Sequence, residues 1–442
     1  MTGELSGGMK ALYTLVICCY GLILNIAALF SDKARKWVAG RRSLFSKIEQ
    51  WIQGIDRERT PVIWFHASSL GEFEQGRPVI EAFRETRPEC KIVLTFFSPS
   101  GYEIRKNYDQ ADLVTYLPLD LPRNARRFVE LVNPSMAVFI KYDFWFNFLS
   151  ELATRRIPVF YVSAMFRPAH YFFKWYGFWP RKQLRGVTRF FVQDHESRKL
   201  MNNAGFENVT VTGDTRFDRV FAIAKQKKTF PLIENFIGNQ QVFICGSTWP
   251  ADEKILFPWI REVIGERQHN QITGTSADDR QPGPGLKFII APHDTGEQRI
   301  REISEGLNLP CIRYSELTVE NDKTAGILII DVIGILSQLY QYAWLAFIGG
   351  GFGSGLHNIQ EPVTFGVPVL FGPGYQKFRE ATDLVRLGGA FTLSATSELR
   401  HTVEKLTGDP ELYRKASACC RNYVDENRGA TEKIMQWFRQ DR

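Results

Sequence analysis

The chain has 442 residues, enough for two domains that each bury a core of their own. Its 44% hydrophobic and 23% charged content excludes a disordered chain, and seven cysteines with no C-x-x-C spacing form no disulfide framework and fit a reducing compartment. The net charge of +7 favours anionic partners, whether nucleotide, phospholipid surface or phosphorylated substrate, without choosing among them.

Ala11 to Phe30 is twenty residues without a charge, about the length that crosses a hydrocarbon core as a helix. Lys33, Arg35, Lys36, Arg41 and Arg42 follow against the single acid Asp32. Basic flanks stay cytoplasmic, so the pattern predicts a single-pass membrane anchor over residues 1–32 with the body inside; a signal peptide would carry its basic residues in front, where only Lys10 stands. A buried core helix is the alternative.

From Pro61, short apolar runs (PVIWFHA, KIVLTFF, LVTYLPL, MAVFIK, IPVFYVS, TRFFVQD, VTVTG) alternate with amphipathic stretches such as Gly71 to Arg87 and Asp194 to Ala204. Strand and helix in alternation predict a parallel sheet covered on both faces, here over residues 60–230. Within it, Met165 to Arg185 packs eight aromatics among five basic residues, a composition suited either to the lipid headgroup layer or to core packing. After a Lys-rich stretch at Ala224 to Thr229 the pattern restarts, with QVFICGS, LKFIIAPH, GILIID, AWLAFIGG and VPVLFG predicting a second doubly wound domain over 238–408 and a junction near residue 235. Glu266 to Gly285 is polar, rich in Gly and Pro, and reads as a mobile surface insertion without a catalytic role. Residues 409–442 have helical spacing and length to pack back across both domains.

Two places carry chemistry. At the end of the strand Trp344 to Ile348, five glycines fall within seven residues, followed by His357-Asn358 and a segment able to start a helix. Such an order builds an anion site, because glycines admit main-chain N–H groups to a phosphate and the next helix N-terminus faces the same point; a Gly-rich connection between core elements is the plain alternative. Neither G-x-G-x-x-G nor G-x-x-x-x-G-K-[ST] is present, which argues against dinucleotide and P-loop sites. Glu361 is placed to accept from ribose hydroxyls. The second place is HASSLGE, residues 66–72, where Glu72 stands at a strand-to-helix turn as a general base or as a helix-start acid held by the dipole. His66 and Ser69 read as support for that turn. The scattered histidines and the lack of H-E-x-x-H or D-x-D argue against a protein-bound catalytic metal.

HASSLGE with Pro78 in the helix after it, then GDTRFD, GSTWPADE, APHDTGE and FIGGGFGSGLHNIQEPVTFGVPVLFGP, occur in the order found in the 3-deoxy-D-manno-octulosonic acid (Kdo) transferases, which this chain resembles from its apolar N-terminal segment to about residue 390. The resemblance implies an α/β chain of GT-B fold, two Rossmann-like doubly wound domains facing across a cleft. It also implies inverting, metal-independent transfer of Kdo from CMP-Kdo to a lipid A precursor at the bacterial inner membrane, with no cofactor and no nucleic-acid partner. The family's S-x-G-E glutamate falls on Glu72, the general base, and its G-x-x-K-F-D basic residue on Arg216, suited to the Kdo carboxylate or departing phosphate. CMP contacts fall on Pro292 and His293, on Ile333, Gly334 and Ile335, and on Asn358, Ile359, Gln360 and Glu361; Ser247, Thr248, Gly350 and Gly351 are further donor-loop candidates. Two departures stand out. Lys141, in IKYDFWFN, replaces a residue often acidic in the family and is a candidate to neutralise phosphate or carboxylate, with Asp143 keeping the second acid. His293 stands where arginine is common. A nucleotide-sugar epimerase of the same fold and a non-catalytic, membrane-tethered nucleotide-sugar binding module are the competing functions.

Overall fold

The computed structural model describes residues 2–226, 228–273, 285–319, 325–353 and 355–440. The chain divides into two compact units, one made of the residues to Asp218 together with those from Arg428, the other Arg219–Asn427. The first holds a parallel sheet of β1 (Val62–Ala67), β2 (Lys91–Phe96), β3 (Leu113–Tyr116), β4 (Met136–Ile140), β5 (Val159–Ala164), β6 (Arg189–Val192) and β7 (Val209–Val211) in the order 3-2-1-4-5-6-7. The second holds β8 (Gln241–Thr248), β9 (Leu286–Pro292), β10 (Ile312–Arg313), β11 (Ile327–Ile329), β12 (Leu345–Ile348), β13 (Val369–Phe371) and β14 (Ala390–Thr392) in the order 10-11-9-8-12-13-14. Each is a doubly wound Rossmann-like sheet. The order reverses between β1 and β4 in one and between β8 and β12 in the other, and ligands of such sheets sit beyond the carboxyl ends of the strands at these points.

The central strands are buried on both faces, as parallel strands under helices must be. Trp64 packs with Phe128, Phe139 and Phe148 on one side of the first sheet, while Phe65 faces Phe83 on the other. The expected helices are present as Leu70–Thr86, begun by a capping box at Ser69 and Glu72, and His195–Asn203, capped by Asp194. Strands β10 and β14 lie outside the expected set: runs this short have no readable alternation.

Three expected boundaries come out differently. The division falls after Asp218, well before residue 235. Residues 410–440 form two helices rather than the single one expected of 409–442: Pro410–Asn427 belongs to the second unit and Ala430–Gln440 to the first. The latter covers the Phe65 face of the first sheet with Ile434, Met435 and Phe438, and Asp218 accepts from the main-chain N–H groups of Gly429 and Thr431 at its start. Of the segment Glu266 to Gly285, residues up to Thr273 continue the helix Pro250–Thr273, and 274–284 lie outside the described residues.

The aromatic-basic segment splits between its two readings. Phe166, Phe172 and Trp179 are buried, whereas Trp175 is 89% exposed and Tyr171, Tyr176 and Phe178 are about half exposed. Trp179 sits 5.0 Å from the Phe146 ring, so Trp179→Ser is expected to destabilise the first unit by about 3–5 kcal/mol, read by denaturant unfolding. Trp175→Ser is expected to leave stability unchanged.

Candidate active site

The turn after β1 carries Glu72, and Lys141 follows β4 directly, so the reversal of strand order brings both to one end of the first sheet. Glu72 serves the capping box: its Oε2 accepts from the Ser69 N–H at 3.0 Å. Gly71 is exposed, and a Cβ there would meet nothing within 4 Å beyond its own chain neighbours and helix backbone, so the start of the helix that carries Glu72 is unobstructed. Burial pushes the Glu72 carboxyl up from its ordinary value, and the Lys141 charge opposes that rise. Lys141 is pulled down by burial and by Arg216, against the attraction of Glu72. Asp143 is pushed well up by burial and by the Glu72 charge. Lys141 adopts φ +66°, a left-handed conformation costly for a side chain with a Cβ, and such strain collects at functional sites.

Arg216 is held by a fork onto Asp214, with Nε at 2.9 Å and a terminal nitrogen at 2.6 Å from Oδ2. Its loop is tied to the helix of Glu72 by Thr215, whose hydroxyl donates to the Gln75 carbonyl and accepts from Ser163 at 2.7 Å. Glu72, Lys141, Asp143 and Arg216 therefore form one electrostatic group of two acids and two cations. Chemically, it can take a proton from a hydroxyl and hold an anion. His66 is different: Nε2 accepts from Trp145 Nε1 at 3.0 Å, Nδ1 lies 2.9 Å from Thr95 Oγ1, and burial pulls its pKa down to about 3. It is a neutral brace of the turn.

In the second unit, β12 runs into Gly349, Gly350 and Gly351. A Cβ on Gly349 would stand 2.2 Å from the Ser247 carbonyl oxygen, one on Gly350 2.1 Å from that of Gly355, and one on Gly351 2.6 Å from the Gly372 nitrogen. Much of the glycine run thus serves close backbone packing. The Gly350 N–H donates to Asp252 Oδ2 at 2.9 Å, and the same oxygen takes the Trp249 N–H at 2.8 Å. In place of a phosphate, the anion held by the Gly350 N–H is the chain's own carboxylate.

Several donor candidates are likewise engaged. The Thr248 hydroxyl is buried and bonded to Glu253 Oε1 at 3.0 Å, which leaves Ser247, half-buried at φ +54°, as the residue of that pair facing outward. Pro292, Ile359 and Gln360 are buried among their neighbours. His293 and Ile333 are exposed, and Ile333, Gly334 and Ile335 form the turn leading into Leu336, which packs beside Gly246. Asn358 Nδ2 donates to Glu361 Oε1 at 3.2 Å; burial pushes the Glu361 carboxyl up, opposed by Asn358 and by Arg219.

The sequence placed His357 beside the glycine run and gave Trp249 no role; the structure pairs the two. Trp249 Nε1 donates to His357 Nε2 at 2.8 Å, and His293 stacks on both rings, at 4.4 and 4.6 Å. Burial and His293 pull the His357 pKa down to about 4, so it is a neutral imidazole with its proton on Nδ1. Trp249, Pro250, Ala251, Asp252, Gly350 and Gly353 line a cavity of about 270 Å³ beside these rings. The adjacency of GST and Trp249 to a glycine loop a hundred residues later has no local signal; only the pairing of β8 with β12 creates it.

Comparison with known proteins agrees with this architecture. The family described as 3-deoxy-D-manno-octulosonic-acid transferase (kdotransferase) matches residues 41–219. The 3-deoxy-D-manno-octulosonic acid transferase of Haemophilus influenzae is 24% identical over 435 residues, covering 96% of each chain. That of Chlamydophila psittaci is 29% identical over 407 residues, covering 89% of this chain and 88% of the relative. A crystal structure of UDP-N-acetylglucosamine 2-epimerase superposes with a TM-score of 0.58 at 14% identity, over 86% of this chain and 96% of that one, a likeness of fold alone. Ordered motifs, relatives that span nearly the whole length and two doubly wound sheets lead to one conclusion: the chain is a glycosyltransferase of the GT-B fold class, similar over nearly its whole length to the Kdo transferases, whose family domain it carries over residues 41–219.

Proposed function

We propose that the protein transfers Kdo from CMP-Kdo to a hydroxyl of a lipid A precursor, in one displacement that inverts the anomeric carbon. Glu72 takes the acceptor proton as that oxygen bonds to the anomeric carbon, the bond from carbon to phosphate oxygen breaks, and CMP leaves with the electron pair. Lys141 and Arg216 supply positive charge to the Kdo carboxylate or the departing phosphate without a metal ion. CMP is held in the second unit, by Ser247, His293, the turn Ile333–Gly334–Ile335, Asn358 and Glu361. The N-terminal helix keeps the body on the cytoplasmic face of the inner membrane, where the acceptor lies.

The observation that carries this reading is the Glu72 carboxyl, raised by burial and flanked by Lys141 at the strand-order reversal of the first sheet. Incubation with CMP-Kdo and tetraacylated lipid A precursor, followed by mass measurement, tests it: the lipid should gain Kdo as CMP appears. Consumption of sugar nucleotide without lipid would favour an epimerase, and binding without CMP release a binding module.

The base works only when ionised, so the rate falls as pH drops through a Glu72 pKa that burial has raised. The Lys141 charge holds that pKa down. Lys141→Met is therefore expected to move the acid limb of kcat/KM to higher pH. An unmoved limb would remove Lys141 from the site.

A further inference from the structure

The first helix, Thr2–Ala27, is clamped to the first unit along much of its length. Lys10 Nζ donates to Ser150 Oγ at 3.0 Å. The Tyr13 hydroxyl donates at 2.6 Å to Oδ2 of Asp120, a fully buried carboxylate that also takes the Asn147 and Phe148 N–H groups. The Tyr13 ring stands edge-on to Phe146 at 5.1 Å and lies 5.8 Å from Trp179. Ile17 is buried, Tyr20 stacks on Phe97 at 6.1 Å, and Leu119 Cδ2 lies 2.6 Å from where a Cβ on Gly21 would stand. Positions 10, 13, 17, 20 and 21 share one helical face, and from Lys10 to Gly21 that contact runs about 16 Å along the axis.

The opposite face is apolar and open: Leu12, Leu15, Val16, Leu22, Ile23 and Ile26 are each more than half exposed. Spanning a bilayer takes about 30 Å of helix surrounded by lipid. Past Gly21, the apolar run from Leu22 to Phe30 supplies only about 13 Å. Placing Lys10 to Gly21 at mid-bilayer would carry Lys10 and the side of the unit that holds Ser150 and Asp120 into hydrocarbon with it, at about 2.5–3.5 kcal/mol or more for each charged group there. Charge completes the surface. On the next helix, Asp32–Arg42, Lys33, Arg35, Lys36 and Arg42 are exposed while Trp37 is buried. Trp175 and Phe178 are exposed on the segment whose Trp179 packs on Tyr13.

We propose that the first helix is an in-plane anchor, which stays bound to its unit through Lys10, Tyr13, Ile17, Tyr20 and Gly21 and sinks only its outward face into one anionic leaflet, without crossing. The inference rests on the membrane location proposed above and replaces the single-pass topology expected from hydropathy.

The test uses the full-length protein in inner-membrane vesicles, with Cys18→Ala and Cys19→Ala removing the exposed thiols of the helix. Gly7→Cys, at a position with nothing within 4 Å of a new Cβ, and Glu196→Cys on the body are labelled with a membrane-impermeant maleimide. Both should react in inside-out vesicles and neither in intact spheroplasts. Labelling of Gly7→Cys in spheroplasts alone overturns the in-plane anchor while leaving membrane location standing. Absence of the protein from the membrane fraction overturns both. Gly8→Cys, equally unobstructed, repeats the measurement if the first variant does not accumulate.

Discussion

Glu72→Gln is expected to lower turnover by about 10²–10⁴-fold while the affinity for CMP-Kdo stays within about twofold of wild type. Glutamine is the informative choice because Glu72 has two jobs. Its Oε2 closes the capping box on the Ser69 N–H, and a glutamine amide oxygen closes the same box, so the helix Leu70–Thr86 keeps its start. Only the capacity to accept a proton is lost. Activity is read as CMP release with lipid A precursor, affinity by calorimetry, and fold by thermal unfolding. Turnover near wild type would leave Glu72 a cap and nothing more, and another base would have to be sought; Asp143, raised by burial and by the charge of Glu72, would be the first to examine.

Gly350→Ala is expected to cost the second unit about 3 kcal/mol or more. The residue sits at φ +91°, a region that charges a Cβ about 1–3 kcal/mol, and that Cβ would also stand 2.1 Å from the Gly355 carbonyl oxygen and 3.2 Å from His357 Cδ2. Backbone cannot yield as a flexible side chain does, so the loop must shift, taking the Gly350–Asp252 bond and the His357 ring with it. For a unit of this size the loss lowers Tm by about 6–12 °C. If the donor sits against this loop, CMP-Kdo affinity also falls about tenfold or more, the effect of a further 1.4 kcal/mol. Lower Tm with unchanged affinity would separate the loop from the donor. The pair of variants divides the mechanism: one loses rate without binding, the other binding and stability together.

The strand-helix alternation, the two doubly wound halves and the likeness to the Kdo transferases were legible in the chain, because parallel strands buried on both faces must be apolar runs and the motifs are local strings. His66 and Ser69 as supports of the Glu72 turn were also legible, since a capping box is a four-residue signal. Availability of individual groups was not. Thr248 looked like a phosphate ligand until Glu253 took its hydroxyl, the Gly350 N–H looked open until Asp252 filled it, and an apolar run long enough to cross a membrane turned out to be fastened along one face by Tyr13 and Asp120. These outcomes depend on contacts between distant parts of the chain. Hydrogen-bond partners such as Thr215 with Gln75 or Gly350 with Asp252 are about a hundred residues or more apart, and only the crossovers of a parallel sheet bring their strand ends to a common edge.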